Sequence, residues 1–234
     1  MSATATASRP VSQATSIAII GALFFIIGFL TWINGPLITF VKLAFDLDDV
    51  NAFLVLMVFY LSYFFLALPA AWLLKLTGMK KGLALSLFVM AIGAAMFGQF
   101  STQRWYPGAL SGLFVIGGGL ALLQTAVNPY ISILGPINTA ARRIALMGIC
   151  NKVAGMLAPI VLGTLVLHGI GDLATQVAAA DVVTKERLLT EFAAKIHGPY
   201  LAMAGILVVA SIAVLFSPLP ELKSSEANVE HAAH

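Results

Sequence analysis

Charged residues are scarce in this sequence of 234 residues, and aspartate, glutamate, lysine and arginine together make up only 10% of it. Soluble domains carry about 25%. Hydrophobic residues reach 60%, and no aspartate or glutamate occurs between Val50 and Gly171. This composition excludes an ordinary soluble protein and indicates an integral membrane protein that is surrounded by the lipid bilayer. The net charge of +3 then follows from membrane topology, so we expect no nucleic-acid partner.

Cysteine and catalytic motifs are also scarce. Cys150 is the single cysteine, which excludes an intramolecular disulfide. The sequence contains no close pair of carboxylates, no HExxH, no GxSxG and no Gly-Lys-Ser/Thr phosphate loop. His231 and His234 have the spacing of metal ligands on a helix, but their polar tail offers no further ligand. We therefore predict neither an enzyme nor a cofactor nor a metal site.

Long apolar runs are what the sequence has in abundance, and each is long enough to cross a bilayer as a helix. They cover residues 17–45, 50–74, 82–100, 105–141 (centred on 117–136), 144–170 and 199–216. We predict an all-α membrane protein whose bundle of six transmembrane helices occupies residues 16–217. A cytoplasmic tail at 1–15 precedes the bundle, and the start of a cytoplasmic central loop at 218–234 follows it. The polar stretch 171–196 predicts one short surface helix.

The distribution of lysine and arginine between the loops predicts the orientation. The loops after the second and fourth runs contain Lys75, Lys80, Lys81, Arg142 and Arg143. The loops after the first and third runs offer only Lys42 and Arg104. Because short cytoplasmic loops are enriched in positive charge, we expect both termini on the cytoplasmic side of the cytoplasmic (inner) membrane.

Two of the apolar runs share an asparagine beside a proline. The first contains Asn34-Gly35-Pro36, and the fourth contains Asn128-Pro129. Transporters built as inverted repeats place their substrate between such interrupted helices. The pattern predicts two three-helix units in a 3+3 inverted repeat, with both helices broken at these prolines.

Amide side chains are the main polar groups inside the runs. They are Asn34, Gln124, Asn128 and Asn151. An amide donates and accepts hydrogen bonds at once, as a sugar hydroxyl requires of its partner. The alternative is that these amides join helices through hydrogen bonds worth about 0.6 to 2 kcal/mol each. For Gln124 we favour substrate contact over that alternative. Both roles stay open for Asn34 and Asn128.

Lys152 is the one ionisable group deep inside a run. A lysine at mid-bilayer costs roughly 2.5 to 3.5 kcal/mol on insertion scales, so we expect it to face a cavity or a partner rather than lipid. The alternative is that it reaches toward the headgroups. Trp32 and Tyr63 are the two aromatic residues that we include in the candidate site, as surfaces against which a sugar ring can stack.

Four segments carry a resemblance to a known family. They read FFIIGFLTWINGPLI, LQTAVNPYISILGP, NKVAGMLAPIVLG and HGPYLAMAGI. The sequence resembles the N-terminal six-helix half of a major facilitator superfamily transporter, and within it the fucose permease and glucose/galactose transporter family. The resemblance implies a secondary active transporter of a neutral monosaccharide, such as glucose, galactose, fucose or N-acetylglucosamine. It also implies alternating access between two halves, so we expect a C-terminal six-helix half or a second copy as partner.

The sequence departs from the family at positions where charge matters. Fucose permease carries membrane carboxylates where Gly35 and Gln124 stand here, and neither of these residues binds a proton. The coupling ion, H⁺ or Na⁺, therefore stays open, as does facilitated diffusion. Lys75 stands where the loop signature of the superfamily has an acidic residue.

Two other interpretations remain. One is a transporter of an anionic sugar acid that pairs with Lys152. The other is a non-transporting fragment or an assembly subunit of the membrane, in which the amides only join helices.

Overall fold

A computed structural model describes residues 13–220, except for the side chains of Gln13, Ile133 and Ile137. Almost all of the predicted tail at 1–15 and of the loop at 218–234, including His231 and His234, lies outside the described residues. Within them the structure is helical and contains no strand. The α-helices are α1 Gln13–Trp32, α2 Asn34–Ala44, α3 Asp49–Thr77, α4 Met79–Thr102, α5 Tyr106–Ile133, α6 Ala140–Leu165, α7 Ile170–Ala179, α8 Val182–Ala194 and α9 His197–Phe216.

Six segments of the described chain are long and apolar enough to cross a membrane, which confirms the predicted number of spans. The first is formed by α1 and α2 together, and α3, α4, α5 and α6 form one span each. The sixth segment runs from Val182 to Phe216, and within it α9 has 20 residues, enough to cross the hydrocarbon core. The protein is therefore a multi-pass membrane protein.

The connection between the fifth and sixth spans differs from its prediction, because it contains two helices instead of one. α6 ends at Leu165, and Gly169 adopts a left-handed backbone with φ 74° immediately before α7. Asp181 then starts α8, since its carboxylate accepts hydrogen bonds from the backbone N–H groups of Val183 and Thr184. One N-capping side chain thus divides the polar stretch into two short helices.

The bundle has two chemically different ends. We call the end with the α3–α4 and α5–α6 loops the basic end, and the opposite end, which is covered by α8, the α8 end. At the α8 end, Lys185 pairs with Asp46 at 2.7 Å, and Arg104 pairs with Glu186. At the basic end, Lys80 Nζ donates to the Ser217 carbonyl at 2.7 Å. Polar contacts between the helices are therefore concentrated where the spans meet water.

Close approach of backbones holds the middle of the bundle together. A Cβ atom at Gly112 of α5 would lie 2.6 Å from the Phe97 nitrogen of α4, so only glycine permits this contact. A Cβ at Gly28 of α1 would collide with the Asn151 carbonyl of α6. Small residues allow such contacts between membrane helices. The same contacts set α1 beside α6 and α4 beside α5.

The two asparagine-proline sequences have different effects on their helices. In the first span the helix is interrupted at Ile33, and Pro36 falls in the first turn of α2, where its missing N–H is tolerated. In the fourth span Pro129 lies inside α5, which continues to Ile133, so the predicted break at Pro129 is wrong. Pro129 removes only one backbone hydrogen bond near the helix end, and the final turn forms without it.

Candidate substrate-binding face

The most direct polar contact between candidate residues joins α3 to α5. The Tyr63 hydroxyl donates a 2.6 Å hydrogen bond to Gln124 Oε1. Both side chains are half-buried. Among the described residues the Gln124 amide makes no other hydrogen bond, so its NH₂ group keeps two donors for a ligand.

Asn128 lies one turn beyond Gln124 on the same helix, and its side chain is exposed. Gln124 is nine residues before Ile133, the last residue of α5, which places it about 14 Å from that helix end. Its partner Tyr63 lies at the midpoint of α3, so the hydrogen-bonded pair lies near the middle of the membrane. An amide there has to face protein, water or a ligand.

Lys152, Trp32 and Asn151 form a second group on α1 and α6. Lys152 Nζ lies 4.8 Å from the centroid of the Trp32 ring, and the tryptophan is 46% exposed. The ring also packs against Gly155, where a Cβ atom would lie 2.7 Å from its nearest carbon. Asn151 Nδ2 donates to the Phe24 carbonyl at 3.4 Å, a long hydrogen bond between the two helices. A cation over an indole face and an amide beside it thus share this surface.

Asn34 is placed differently from the other candidates. It is 2% exposed, and its Nδ2 donates to the carbonyls of Leu30 and Thr31, both at 3.2 Å. These carbonyls belong to the last turn of α1, where the interruption at Ile33 leaves acceptors available. These bonds are local and cross the interruption within the first span, and the contact of Asn34 with substrate stays a prediction.

The two groups complement each other chemically. The α3–α5 group offers the neutral donors and acceptors of Tyr63, Gln124 and Asn128, and the α1–α6 group offers an aromatic ring, an amide and one positive charge. No hydrogen bond among the described residues joins one group to the other. No cluster of His, Cys, Asp or Glu able to hold a metal ion occurs in the described chain. This surface is suited to hydrogen bonding of hydroxyl groups.

A cavity of about 340 Å³ opens elsewhere, between α1, α6 and α9. Its walls are apolar side chains, among them Phe25, Phe29, Leu162 and Met203. Nothing polar in these walls matches a sugar hydroxyl, so this cavity is not part of the candidate face.

Arg143 is the polar residue whose structural importance the sequence analysis missed, since it served there only to orient the chain. Its side chain is 5% exposed and contacts the carbonyls at the end of α5. The available signal was its position seven residues after Pro136, just past a helix end that needs hydrogen-bond donors.

Comparison with known proteins identifies the family. The model of the Major Facilitator Superfamily matches residues 20–233. The chain belongs to this superfamily. The resemblance noted in the sequence is thereby confirmed, and the family is one of transporters rather than enzymes.

Similar proteins include a glucose/galactose transporter and an L-fucose-proton symporter. The glucose/galactose transporter of Brucella abortus biovar 1 (strain 9-941) is 35% identical over 206 residues, which are 87% of this chain and 46% of that protein. The L-fucose-proton symporter of Escherichia coli (strain K12) is 29% identical over 210 residues, 88% of this chain and 48% of the symporter. The chain spans about half the length of the curated relatives that it matches.

A solved structure shows the same fold. The crystal structure of the superfamily transporter FucP in the outward conformation has a TM-score of 0.77 and 25% sequence identity to this chain. The match covers 95% of this chain and 56% of FucP. The described helices therefore correspond to one half of a major facilitator fold.

Proposed function

We propose that this chain supplies one half of the binding site of a secondary transporter for a neutral monosaccharide. The observation that carries the proposal is the hydrogen-bonded Tyr63–Gln124 pair near mid-membrane, which leaves amide donors of Gln124 available. The names of the relatives, which are glucose/galactose transporters and fucose symporters, support a hexose or a deoxyhexose as substrate. N-acetylglucosamine remains a further candidate.

The proposed recognition uses both groups of the candidate face. Gln124 and Asn128 donate to and accept from sugar hydroxyls, and the exposed part of the Trp32 ring contacts an apolar face of the sugar. Asn151, whose bond to Phe24 is long, is the second source of amide donors. Asn34 acts indirectly by closing the interruption between α1 and α2.

A partner completes the site in this proposal. A six-helix C-terminal half, or else a second copy of this chain, covers the face formed by α1, α3, α5 and α6. Rocking of the two halves about a site at the midplane then exposes the sugar to each side in turn. The match to about half the length of the relatives supports this arrangement. The basic end, with its lysines and arginines, faces the cytoplasm of a cell with an inner membrane, so both termini are cytoplasmic.

We propose that this chain does not couple sugar transport to protons through a membrane carboxylate, as a carboxylate-based proton symporter does. The described spans contain no Asp or Glu between Val50 and Gly171. Gln124 accepts a hydrogen bond from Tyr63 and does not titrate. We therefore favour Na⁺ coupling or facilitated diffusion over coupling to H⁺ at this half. Uptake driven by an imposed Na⁺ gradient, compared with an imposed pH gradient, separates these cases.

A second candidate substrate is an anionic sugar acid. It is favoured by one observation, the exposed ammonium of Lys152, which has no carboxylate partner among the described residues. In that case the sugar carboxylate lies beside Trp32 and Lys152. Competition of glucuronate against glucose distinguishes the two substrates.

The main experiment measures uptake of labelled glucose, galactose, fucose, N-acetylglucosamine and glucuronate in transport-deficient cells. The chain is expressed alone and together with the unmatched half of the Brucella glucose/galactose transporter. We expect uptake from the pair, and loss of uptake with Gln124→Ala. Gln99→Ala is the matched control, because Gln99 is an exposed glutamine of α4 outside the candidate face.

The rival interpretation, a non-transporting fragment or assembly subunit, makes a different prediction for the same variants. Gln124→Ala would then lower thermal stability of the purified chain equally with and without sugar. Correctly inserted protein that shows neither uptake nor any sugar-dependent rise in melting temperature would refute the proposed function.

A further inference from the structure

The Arg143 guanidinium is buried where α5 ends and α6 begins. Nε donates to the Ile131 carbonyl at 3.1 Å, and Nη2 donates to the carbonyls of Ser132 at 2.9 Å and Gly135 at 3.3 Å. Nη1 donates to the Pro136 carbonyl at 3.0 Å and to Thr139 Oγ1 at 2.7 Å. A guanidinium has five N–H donors, so every donor of this side chain is used.

The acceptors explain why this position requires a guanidinium. The carbonyls of Ile131 and Ser132 belong to the last turn of α5 and have no partner within the helix. They also lie at the negative end of the helix dipole, which attracts a cation. Lysine has one nitrogen and cannot reach acceptors distributed around a planar fork. No carboxylate among the described residues contacts Arg143, so its charge is stabilised by the dipoles of the carbonyl groups and of the Thr139 hydroxyl.

Arg143 also connects the helices that carry the candidate face. It lies in the first turn of α6, three residues after Ala140, while its acceptors lie in α5 and in the loop that follows. α5 packs extensively on α3 and α4 but only slightly on α6. The buried guanidinium is therefore a principal link between α5, with Gln124 and Asn128, and α6, with Lys152.

We infer that Arg143 is a positioning residue, which sets α5 against α6 so that the two groups of the candidate face meet one substrate. The inference rests on the proposed function for its substrate and on these five hydrogen bonds for its geometry. Each helix is stiff over the length between Arg143 and the candidate face. A shift at the end of α5 therefore moves Gln124 and Asn128 relative to Lys152 of α6.

The neighbouring Arg142 offers a matched control. It lies on the same turn and has the same charge, but its side chain is exposed. Arg142→Gln and Arg143→Gln therefore remove the same charge from the same loop. Any effect on topology through the positive-inside rule is equal for both variants.

The first measurement is sugar binding to the chain purified together with the unmatched half of the Brucella glucose/galactose transporter in lipid nanodiscs, by isothermal titration with glucose and fucose. Arg143→Gln is expected to weaken sugar binding about tenfold, because the two groups of the candidate face no longer meet one substrate. Arg142→Gln is expected to bind as the parent chain does. Arg143→Lys should resemble Arg143→Gln, and a normal affinity of Arg143→Lys would overturn the inference because charge alone would then suffice.

The second measurement does not depend on sugar. Spin labels at Phe114→Cys of α5 and Met156→Cys of α6, both exposed positions, report the distance between the helices in a Cys150→Ser background. Arg143→Gln should shift or broaden this distance distribution, and Arg142→Gln should leave it unchanged. An unchanged distribution in Arg143→Gln overturns the inference.

The two measurements separate the inference from the proposed function. If the pair of halves with the parent sequence binds none of the sugars while Arg143→Gln still alters the distance, the proposed function fails and the positioning of α5 stands. If the distance changes but sugar affinity does not, Arg143 is only a structural residue and the inference is refuted.

Discussion

The hydroxyl of Tyr63 and Oε1 of Gln124 lie 2.6 Å apart, and this hydrogen bond joins α3 to α5 through residues 61 positions apart in the sequence. The bond uses one of the two lone pairs of the amide oxygen and leaves both N–H donors available. It therefore determines which groups of Gln124 are presented to a ligand.

The first prediction concerns this bond. Tyr63→Phe removes the donor and leaves Gln124 free to rotate, so we expect sugar binding to weaken by about 1 kcal/mol, or roughly fivefold. Binding is measured by isothermal titration, with Tyr60→Phe, an exposed tyrosine of the same helix, as control. In a double-mutant cycle, Tyr63→Phe should add little to Gln124→Ala. Full additivity would contradict a shared role.

The second prediction concerns Lys152 and its position over the Trp32 ring. Lys152→Gln removes the cation but keeps a polar side chain, so the environment of the indole changes and tryptophan fluorescence should shift. Uptake of a neutral hexose should be retained within about threefold, because its hydroxyl groups need no counter-charge. Lys81→Gln, an exposed lysine at the basic end, is the control for charge. Loss of neutral hexose uptake would contradict this prediction, whereas loss of glucuronate competition with hexose uptake retained would favour the anionic substrate.

The third prediction tests the contact between α6 and the indole. A Cβ at Gly155 would lie 2.7 to 2.9 Å from atoms of the Trp32 ring, which must then move. Gly155→Ala should reduce stability by about 1 to 3 kcal/mol, as overpacking does, and should weaken sugar binding. Gly148→Ala and Gly163→Ala, on the same helix with open space around each, are the controls. Equal melting temperatures for all three variants would contradict the contact.

The fourth prediction is a pH dependence at the start of α8. Hydrogen bonds from Thr184 and Val183 lower the pKa of Asp181 below its ordinary value of 3.8. The carboxylate form is therefore the stabilising one, so its contribution is complete above pH 3.8 and is lost as pH falls through the lowered pKa. Hydrogen exchange should show that protection of residues 183–186 decreases over this acidic range. Asp181→Asn, which keeps a capping oxygen without a titratable charge, should lack this dependence.

Much of the fold follows from the sequence because the length of an apolar run and the charge of a loop are local properties of the chain. The six spans were predictable from runs that only a bilayer accommodates. The break between α1 and α2 was predictable from Asn34-Gly35-Pro36. The break at Pro129 was predicted wrongly, because the cost of a proline depends on how many backbone bonds follow it in the helix.

The candidate site was only partly predictable. Gln124 and Lys152 stand out in the sequence because a polar side chain inside an apolar run is costly if it faces lipid. Whether an amide is already bonded cannot be read from the chain, and Asn34 shows this, since its donors are taken by Leu30 and Thr31. Arg143 was missed because the residue type alone does not show whether an arginine near a loop is exposed or buried.

The sequence by itself determined that six segments are long and apolar enough to cross a membrane, that these spans carry amides instead of carboxylates, and that the chain belongs to the Major Facilitator Superfamily. The tertiary structure alone decided that Tyr63 meets Gln124, that Lys152 lies over Trp32, and that Arg143 connects α5 to α6. The physical reason is that burial in lipid depends on composition along the chain, whereas a hydrogen bond depends on which helices pack side by side.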